Sequence, residues 1–109
     1  MQSQSLPLAE TKPYSRNRPE PVRVGVIGIG NMGQHHARVL SRLKDVELVG
    51  VSDVNAERGI ETASHYQIHF FEQYQDLLEQ VDAVCVAVPT RLHPSVGMTC
   101  LKAGVHVLS

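Results

Sequence analysis

The sequence predicts an α/β fold, a doubly wound parallel sheet with strand order 3-2-1-4-5, and three observations carry that expectation. From Val22 onward, short runs rich in β-branched residues alternate with stretches whose apolar residues recur at helical spacing. The strand-to-helix links are only a few residues long, as in parallel strands joined by helical crossovers. The run Ala83-Val84-Cys85-Val86-Ala87-Val88 is unbroken in apolar residues, the pattern of a central strand covered on both faces.

Each element follows in order. Residues 1–21 hold four of the six prolines (Pro7, Pro13, Pro19 and Pro21) among polar side chains, and are expected to form a disordered tail that buries too little surface to offset its ordering entropy. Residues 22–109 form the expected domain. Val22-Arg23-Val24-Gly25-Val26-Ile27 reads as the first strand and runs into the turn Gly28-Ile29-Gly30-Asn31-Met32-Gly33. Met32, His36, Val39, Leu40 and Leu43 then mark the inner face of a helix from about Asn31 to Leu43. Val46 to Ser52 is the second strand, with Asp53 emerging at its carboxyl end. Ala56, Ile60 and Ala63 mark a second helix, with Asn55 or Asp53 as its N-cap.

The third unit is a short strand at His69-Phe70-Phe71 and a helix marked by Tyr74, Leu77, Leu78 and Val81. The fourth strand spans Asp82 to Val88, Pro89 stops it, and Thr90 to Pro94 form a turn. Val96, Thr99, Cys100 and Ala103 mark the last helix, Gly104 provides a left-handed C-cap, and Val105 to Leu108 form the last strand. Right-handed crossovers reverse direction between strands 1 and 4, which opens a ligand crevice at their carboxyl ends.

Composition narrows the function. The chain of 109 residues carries 10 Lys+Arg and 11 Asp+Glu, a net charge of 10 − 11 = −1, without the clustered basic excess that nucleic-acid binding needs. No apolar run approaches the roughly 20 residues of a bilayer span, so no membrane partner is expected. The first residues, Met1 to Ser5, lack a secretory pattern, and a cytoplasmic setting is expected. Cys85 and Cys100 sit in apolar segments and are expected to be reduced, buried thiols. No metal site is expected: His35 and His36 point about 100° apart on a helix, and His65, His69 and His106 have no partner spacing.

Chemistry concentrates in two places. Gly28-x-Gly30-x-x-Gly33 follows a strand, opens a helix and precedes Asp53 by 20 positions, the context of a dinucleotide turn. Gly28 allows the tight turn, Gly30 lets a pyrophosphate approach the backbone and Gly33 lets helix pack closely on strand. The N–H groups over Gly28, Ile29, Gly30, Asn31, Met32 and Gly33 and the helix dipole favour a diphosphate. Asp53 accepts the ribose hydroxyls and repels a 2′-phosphate, which favours NAD over NADP, although Arg58 lies close enough in sequence to pair with a phosphate. Across the crevice, Thr90 and the Val88 carbonyl, beside Pro89, are positioned for the nicotinamide, and His93 for the nicotinamide or a substrate hydroxyl. The alternative is that Thr90 caps a turn and His93 opens a helix as an ordinary polar residue.

Taken together, Val24 to His36, Leu48 to Asp53, Asp82 to Val84, Val88 to His93 and Ala103 to Leu108 resemble the cofactor domain of the glucose–fructose oxidoreductase, inositol dehydrogenase and MocA-like (Gfo/Idh/MocA) oxidoreductases over about Arg23 to Ser109. The resemblance implies a Rossmann-like fold and NAD(P)-dependent hydride transfer with a sugar, cyclitol or related hydroxyl. Within the family the motifs are similar to those of dehydrogenases of nucleotide sugars such as UDP-N-acetylglucosamine. It implies cofactor roles for Gly28, Gly30, Gly33, Asp53, Pro89, Thr90 and His93. It also implies a C-terminal substrate domain through which members associate, and a Glu-Lys-Pro motif after the last strand whose lysine moves the substrate proton. That motif is not in this sequence, where Lys102 precedes the last strand. The expectation is a single incomplete domain with no catalytic residue of its own, which binds dinucleotide without turnover. A non-catalytic NAD-binding sensor or interaction module is the alternative.

Overall fold

A computed structural model describes residues 20–88 and 93–108. Most of the expected tail, and Pro89 to Leu92 of the expected turn, therefore lie outside the described residues. The elements are β1 (Val22–Ile27), α1 (Asn31–Leu40), β2 (Val46–Ser52), α2 (Ala56–Tyr66), β3 (His69–Phe71), α3 (Tyr74–Leu78), β4 (Ala83–Val86), α4 (His93–Lys102) and β5 (His106–Leu108). They form one sheet of order β3-β2-β1-β4-β5, with every adjacent pair parallel. The predicted architecture and strand order are those observed. Among the described residues no helix is long and apolar enough to cross a membrane.

The two faces of the sheet bury separate apolar clusters. On one face Val24 and Val26 of β1, Leu48 and Val51 of β2, and Ala83 and Cys85 of β4 pack with Ala37 and Leu40 of α1 and Ala63 of α2. On the other, Ile27, Val84 and Val86 pack with Leu77 and Leu78 of α3 and Val96 and Cys100 of α4. Leu48 and Val51 share a face although they are three apart, because the β1–β2 register slips between Val24 and Gly25. Val24 pairs Leu48 while Gly25 pairs Gly50, so Val49 is the extra residue of a bulge that reverses the side-chain phase.

Several elements depart from the sequence reading. α1 ends at Leu40 rather than Leu43, and Arg42 and Leu43 instead donate to the Val39 and Leu40 carbonyls, a tightening typical of a helix end. The buried stripe of α1 is Gly33, Ala37 and Leu40, while Met32, Val39 and Leu43 are exposed. In α2 the buried residues are Gly59, Thr62 and Ala63, and Ile60 faces outward. In both helices small residues win the inner face because the axis lies close to the sheet; a Cβ on Gly59 would sit 2.3 Å from the Phe70 ring. His36 is half-buried at the core edge and His35 is exposed against Arg38.

β4 is shorter than predicted, yet the Ala87 N–H still donates to Ile27 O at 2.8 Å and prolongs the ladder. α4 begins earlier than predicted, with Pro94 in its first turn, where a missing N–H costs nothing. Gly104 is left-handed, as expected of a C-cap. Asp82 ties the amino end of β4 into the sheet: its carboxylate accepts the Arg23 N–H, its own N–H donates to Arg23 O, and its carbonyl accepts the His106 N–H. Cys85 and Cys100 are free and buried, and burial pushes both thiols up from their ordinary pKa, so neither is a ready thiolate.

Candidate functional site

The candidate site forms where β1 and β2 end and α1 begins. Gly28 has φ +94°, a left-handed conformation, and a Cβ there would meet Ala87 O at 2.7 Å. The same Cβ would lie 3.1 Å from the Val88 nitrogen. The turn is thus pressed against the carboxyl end of β4, at the reversal point of the sheet, and only glycine fits. A Cβ on Gly33 would lie 1.7 Å from Gly28 O, so the first turn of α1 rests directly on the backbone of the loop. Gly30 differs. Its backbone is extended, with φ −75° and ψ −162°, and a Cβ there would meet nothing within 4 Å among the described residues. Neither conformation nor internal packing demands glycine at that point, and the space beside it faces the start of α1.

Among the described residues no side chain caps α1, so its first-turn N–H groups have no capping partner there. Asn31 and Met32 are exposed on this turn. Ile29 is fully buried and its N–H donates to Asp53 Oδ2, so Ile29 shapes the loop and its amide is already engaged. Gly28 donates its N–H to Ser52 O at 2.8 Å, the second link between the loop and the end of β2.

Asp53 is the best-connected side chain of the site. Its Oδ2 accepts the Ile29 N–H, its Oδ1 accepts the Asn55 N–H at 2.7 Å, and Arg58 Nη2 lies 3.0 Å from both oxygens. Of the two N-cap candidates, Asn55 is the one used: its Oδ1 accepts the Arg58 N–H at 3.0 Å and starts α2. Asp53 is left to join the glycine loop to the β2–α2 turn. Burial raises its pKa, but the Asn55 and Ile29 N–H groups and the Arg58 guanidinium together hold the carboxyl below its ordinary value. A carboxyl depressed in the folded state stabilises the fold in full above its unfolded pKa of about 3.9, and that contribution is lost as pH falls through and below this value. Urea unfolding is expected to show a loss of stability below about pH 4 that Asp53→Ala lacks. At pH 7 that variant is expected to be less stable by about 2–3 kcal/mol, since two N–H groups lose their acceptor. Identical pH slopes in the two proteins would contradict this.

Of the residues read from sequence, the structure brings Gly28 to Gly33, Asp53 and the backbone of Val88 together. The Val88 side chain packs on the second core cluster. Pro89 and Thr90 lie outside the described residues, and His93 is placed as the first residue of α4. Arg58 is the residue whose part the sequence reading understated: it is engaged with Asp53. The signal was a cation three residues after the Asn55 cap and five after the acid. A separate depression of about 360 Å³, lined by Arg23, Glu47, Gln67, His69 and Gln80 among others, lies at the amino ends of β1 to β3, opposite the glycine turn. In open α/β sheets the carboxyl end is the binding end. Among the described residues no group of three or more His, Cys, Asp or Glu side chains converges on a metal position.

Comparison with known proteins agrees with this geometry. Residues 22–109 match the family described as "Oxidoreductase family, NAD-binding Rossmann fold". The chain is 40% identical over 87 residues to UDP-N-acetylglucosamine 3-dehydrogenase from Acidithiobacillus ferrooxidans, covering 80% of this chain and 27% of that protein. One crystal structure of that enzyme superposes with a TM-score of 0.76 over 80% of this chain and 28% of that one. Inositol 2-dehydrogenase 1 from Saccharopolyspora erythraea is 38% identical over 92 residues, covering 80% of this chain and 27% of that protein. Biliverdin reductase from Synechocystis sp. PCC 6803, solved with biliverdin and NADP+, is 28% identical with a TM-score of 0.74, covering 80% of this chain and 28% of that one. The chain therefore spans about a quarter of the length of the relatives it matches.

Proposed function

This chain belongs to the Gfo/Idh/MocA oxidoreductase family, and from that premise we propose that it binds a nicotinamide dinucleotide at the carboxyl ends of β1 and β4 for oxidation of a sugar-type hydroxyl. The observation that carries the reading is Gly30. Among the described residues nothing occupies its Cβ position or caps the start of α1 at which it stands, and the neighbouring glycines are accounted for by packing. Gly97 has a similarly open Cβ position, but it lies inside α4, away from any helix start. Space beside a helix amino terminus with open N–H groups suits a diphosphate.

In this reading the amides of Gly30 to Gly33 hold the diphosphate, and Asp53, at the end of β2, meets the adenosine ribose. Val88, Pro89, Thr90 and His93 border the nicotinamide end. When bound, the dinucleotide supplies a hydride acceptor or donor at its nicotinamide ring. The residues assigned here bind and orient it, and none is given the proton transfer. The substrate class is a hydroxylated sugar, cyclitol or nucleotide sugar; the 40% identity to UDP-N-acetylglucosamine 3-dehydrogenase supports the last of these.

Calorimetry tests the proposal. The 109-residue chain is expected to bind NAD with a dissociation constant of about 10–500 μM and to form no NADH with UDP-N-acetylglucosamine or inositol. Absence of binding at about 5 mM NAD would overturn the dinucleotide reading, and sugar-dependent NADH formation would place the proton-transfer group within these residues.

A further inference from the structure

We propose that Gln34 is a positioning residue of the diphosphate site: its side-chain amide holds the Ile29–Gly30 peptide so that the Gly30 N–H is turned toward the ligand. The inference rests on the dinucleotide reading above and deepens it.

The peptides of the loop are fixed one after another from the end of β2 until Gly30. The Gly28 N–H is tied to Ser52 O and the Ile29 N–H to Asp53 Oδ2. The next peptide, Ile29–Gly30, has no such tie among the described residues: its N–H makes no hydrogen bond there, and its carbonyl is met from the side of α1 by Gln34. The Gln34 main-chain N–H donates to Gly30 O at 2.8 Å, the ordinary first bond of a helix, while Gln34 Nε2 donates to Ile29 O at 3.5 Å. One residue therefore draws two successive carbonyls toward itself. Its side chain reaches back to the loop because side chains on a helix lean toward the helix amino end. In a trans peptide the C=O and N–H point in opposite directions. With both carbonyls drawn to Gln34, the Gly30 and Asn31 N–H groups point away from it, and neither has an acceptor among the described residues.

Glycine makes this tie necessary. A half-turn of the Ile29–Gly30 peptide would carry φ of Gly30 from −75° to about +105°, a region that glycine enters freely and other residues avoid. The missing Cβ that opens space for a diphosphate thus also removes the steric bar to the flip. The flipped peptide would put a carbonyl oxygen where the diphosphate needs a donor. Gln34 favours the productive orientation, because its amide has a carbonyl to donate to only when the peptide is not flipped. At 3.5 Å the bond is long, so it biases the peptide rather than locking it. Gln34 is exposed and belongs to neither core cluster, so the packing of the fold does not call for it.

The test combines calorimetry with NMR on the 109-residue chain, for the wild type, Gln34→Met, which keeps length and helix preference but removes the donor, and Gln34→Arg, which keeps a donor. Gln34→Met is expected to melt as the wild type does and to weaken NAD by about three- to tenfold, the effect of one hydrogen bond. In the same variant without ligand, the amide signals of Gly30 and Asn31 are expected to broaden or double, while those of β1 and β4 stay single. Gln34→Arg is expected to recover both NAD affinity and single signals, at about 0.5 M salt as well as at low salt, which separates the donor from the added charge. A folded Gln34→Met chain that binds NAD within about twofold of wild type would overturn the role of Gln34. So would a loss of affinity with an unchanged Gly30 signal, or a Gln34→Met chain that does not fold, since either makes the residue something other than a tie on this peptide. A wild type that binds no NAD would overturn the dinucleotide reading and this inference with it, a result distinct from a wild type and a Gln34→Met variant that bind equally well.

Discussion

Replacing Gly33 by alanine is expected to destabilise the chain by about 3–5 kcal/mol, enough to unfold much of it at 37 °C, since small domains hold only about 5–15 kcal/mol in total. The added methyl would fall 1.7 Å from the Gly28 carbonyl oxygen, inside any allowed contact. The obstacle is backbone, so no side-chain rotation relieves it. Gly28 cannot retreat either: it is held by its N–H bond to Ser52 and backed by the end of β4. The only relief is to lift α1 from the sheet, which uncovers Ala37 and Leu40 from the core. Urea unfolding measures the loss, and a change below about 1 kcal/mol would show that α1 and the loop are not in contact as described.

Gly30→Glu is expected to do the reverse, leaving the fold intact and removing the ligand. Its Cβ has open space and its backbone conformation is available to any residue, so the melting temperature should move by no more than about 3 °C. The carboxylate would occupy the space assigned to the diphosphate and repel it, and NAD affinity is expected to fall by about a hundredfold or more. The contrast between these neighbours is the physical content of the motif: one glycine serves the fold and another serves the ligand. Retained affinity in a folded Gly30→Glu chain would move the diphosphate elsewhere.

The strand–helix alternation is legible in the sequence because parallel strands buried on both faces leave short runs rich in β-branched residues, such as Val22 to Ile27 and Ala83 to Val86, that helices do not share. The inner faces of α1 and α2 are not legible by the same rule. Apolar periodicity selects large residues, whereas a helix lying close on a sheet selects small ones, so Met32, Val39 and Ile60 mark the wrong side and Gly33, Ala37 and Gly59 the right one. The bulge at Val49 is not given by the apolar run itself; its one mark in the sequence is Gly50 beside it, a residue that inside a strand often goes with a bulge. At the site, the glycine spacing and the offset to Asp53 give its location, since both follow from chain geometry. The partner of Asp53 does not follow, because the approach of Arg58 depends on how Asn55 starts α2.

The most direct measurement follows the backbone amides of the isotopically labelled chain by NMR while NAD is added. Saturable shifts centred on Gly28 to Gly33 and Asp53, at the carboxyl ends of β1 and β2, are the predicted result. Shifts centred on Arg23, Glu47, Gln67 and His69 at the opposite end of the sheet, or none at saturating NAD, would contradict the assignment of this loop as a dinucleotide site.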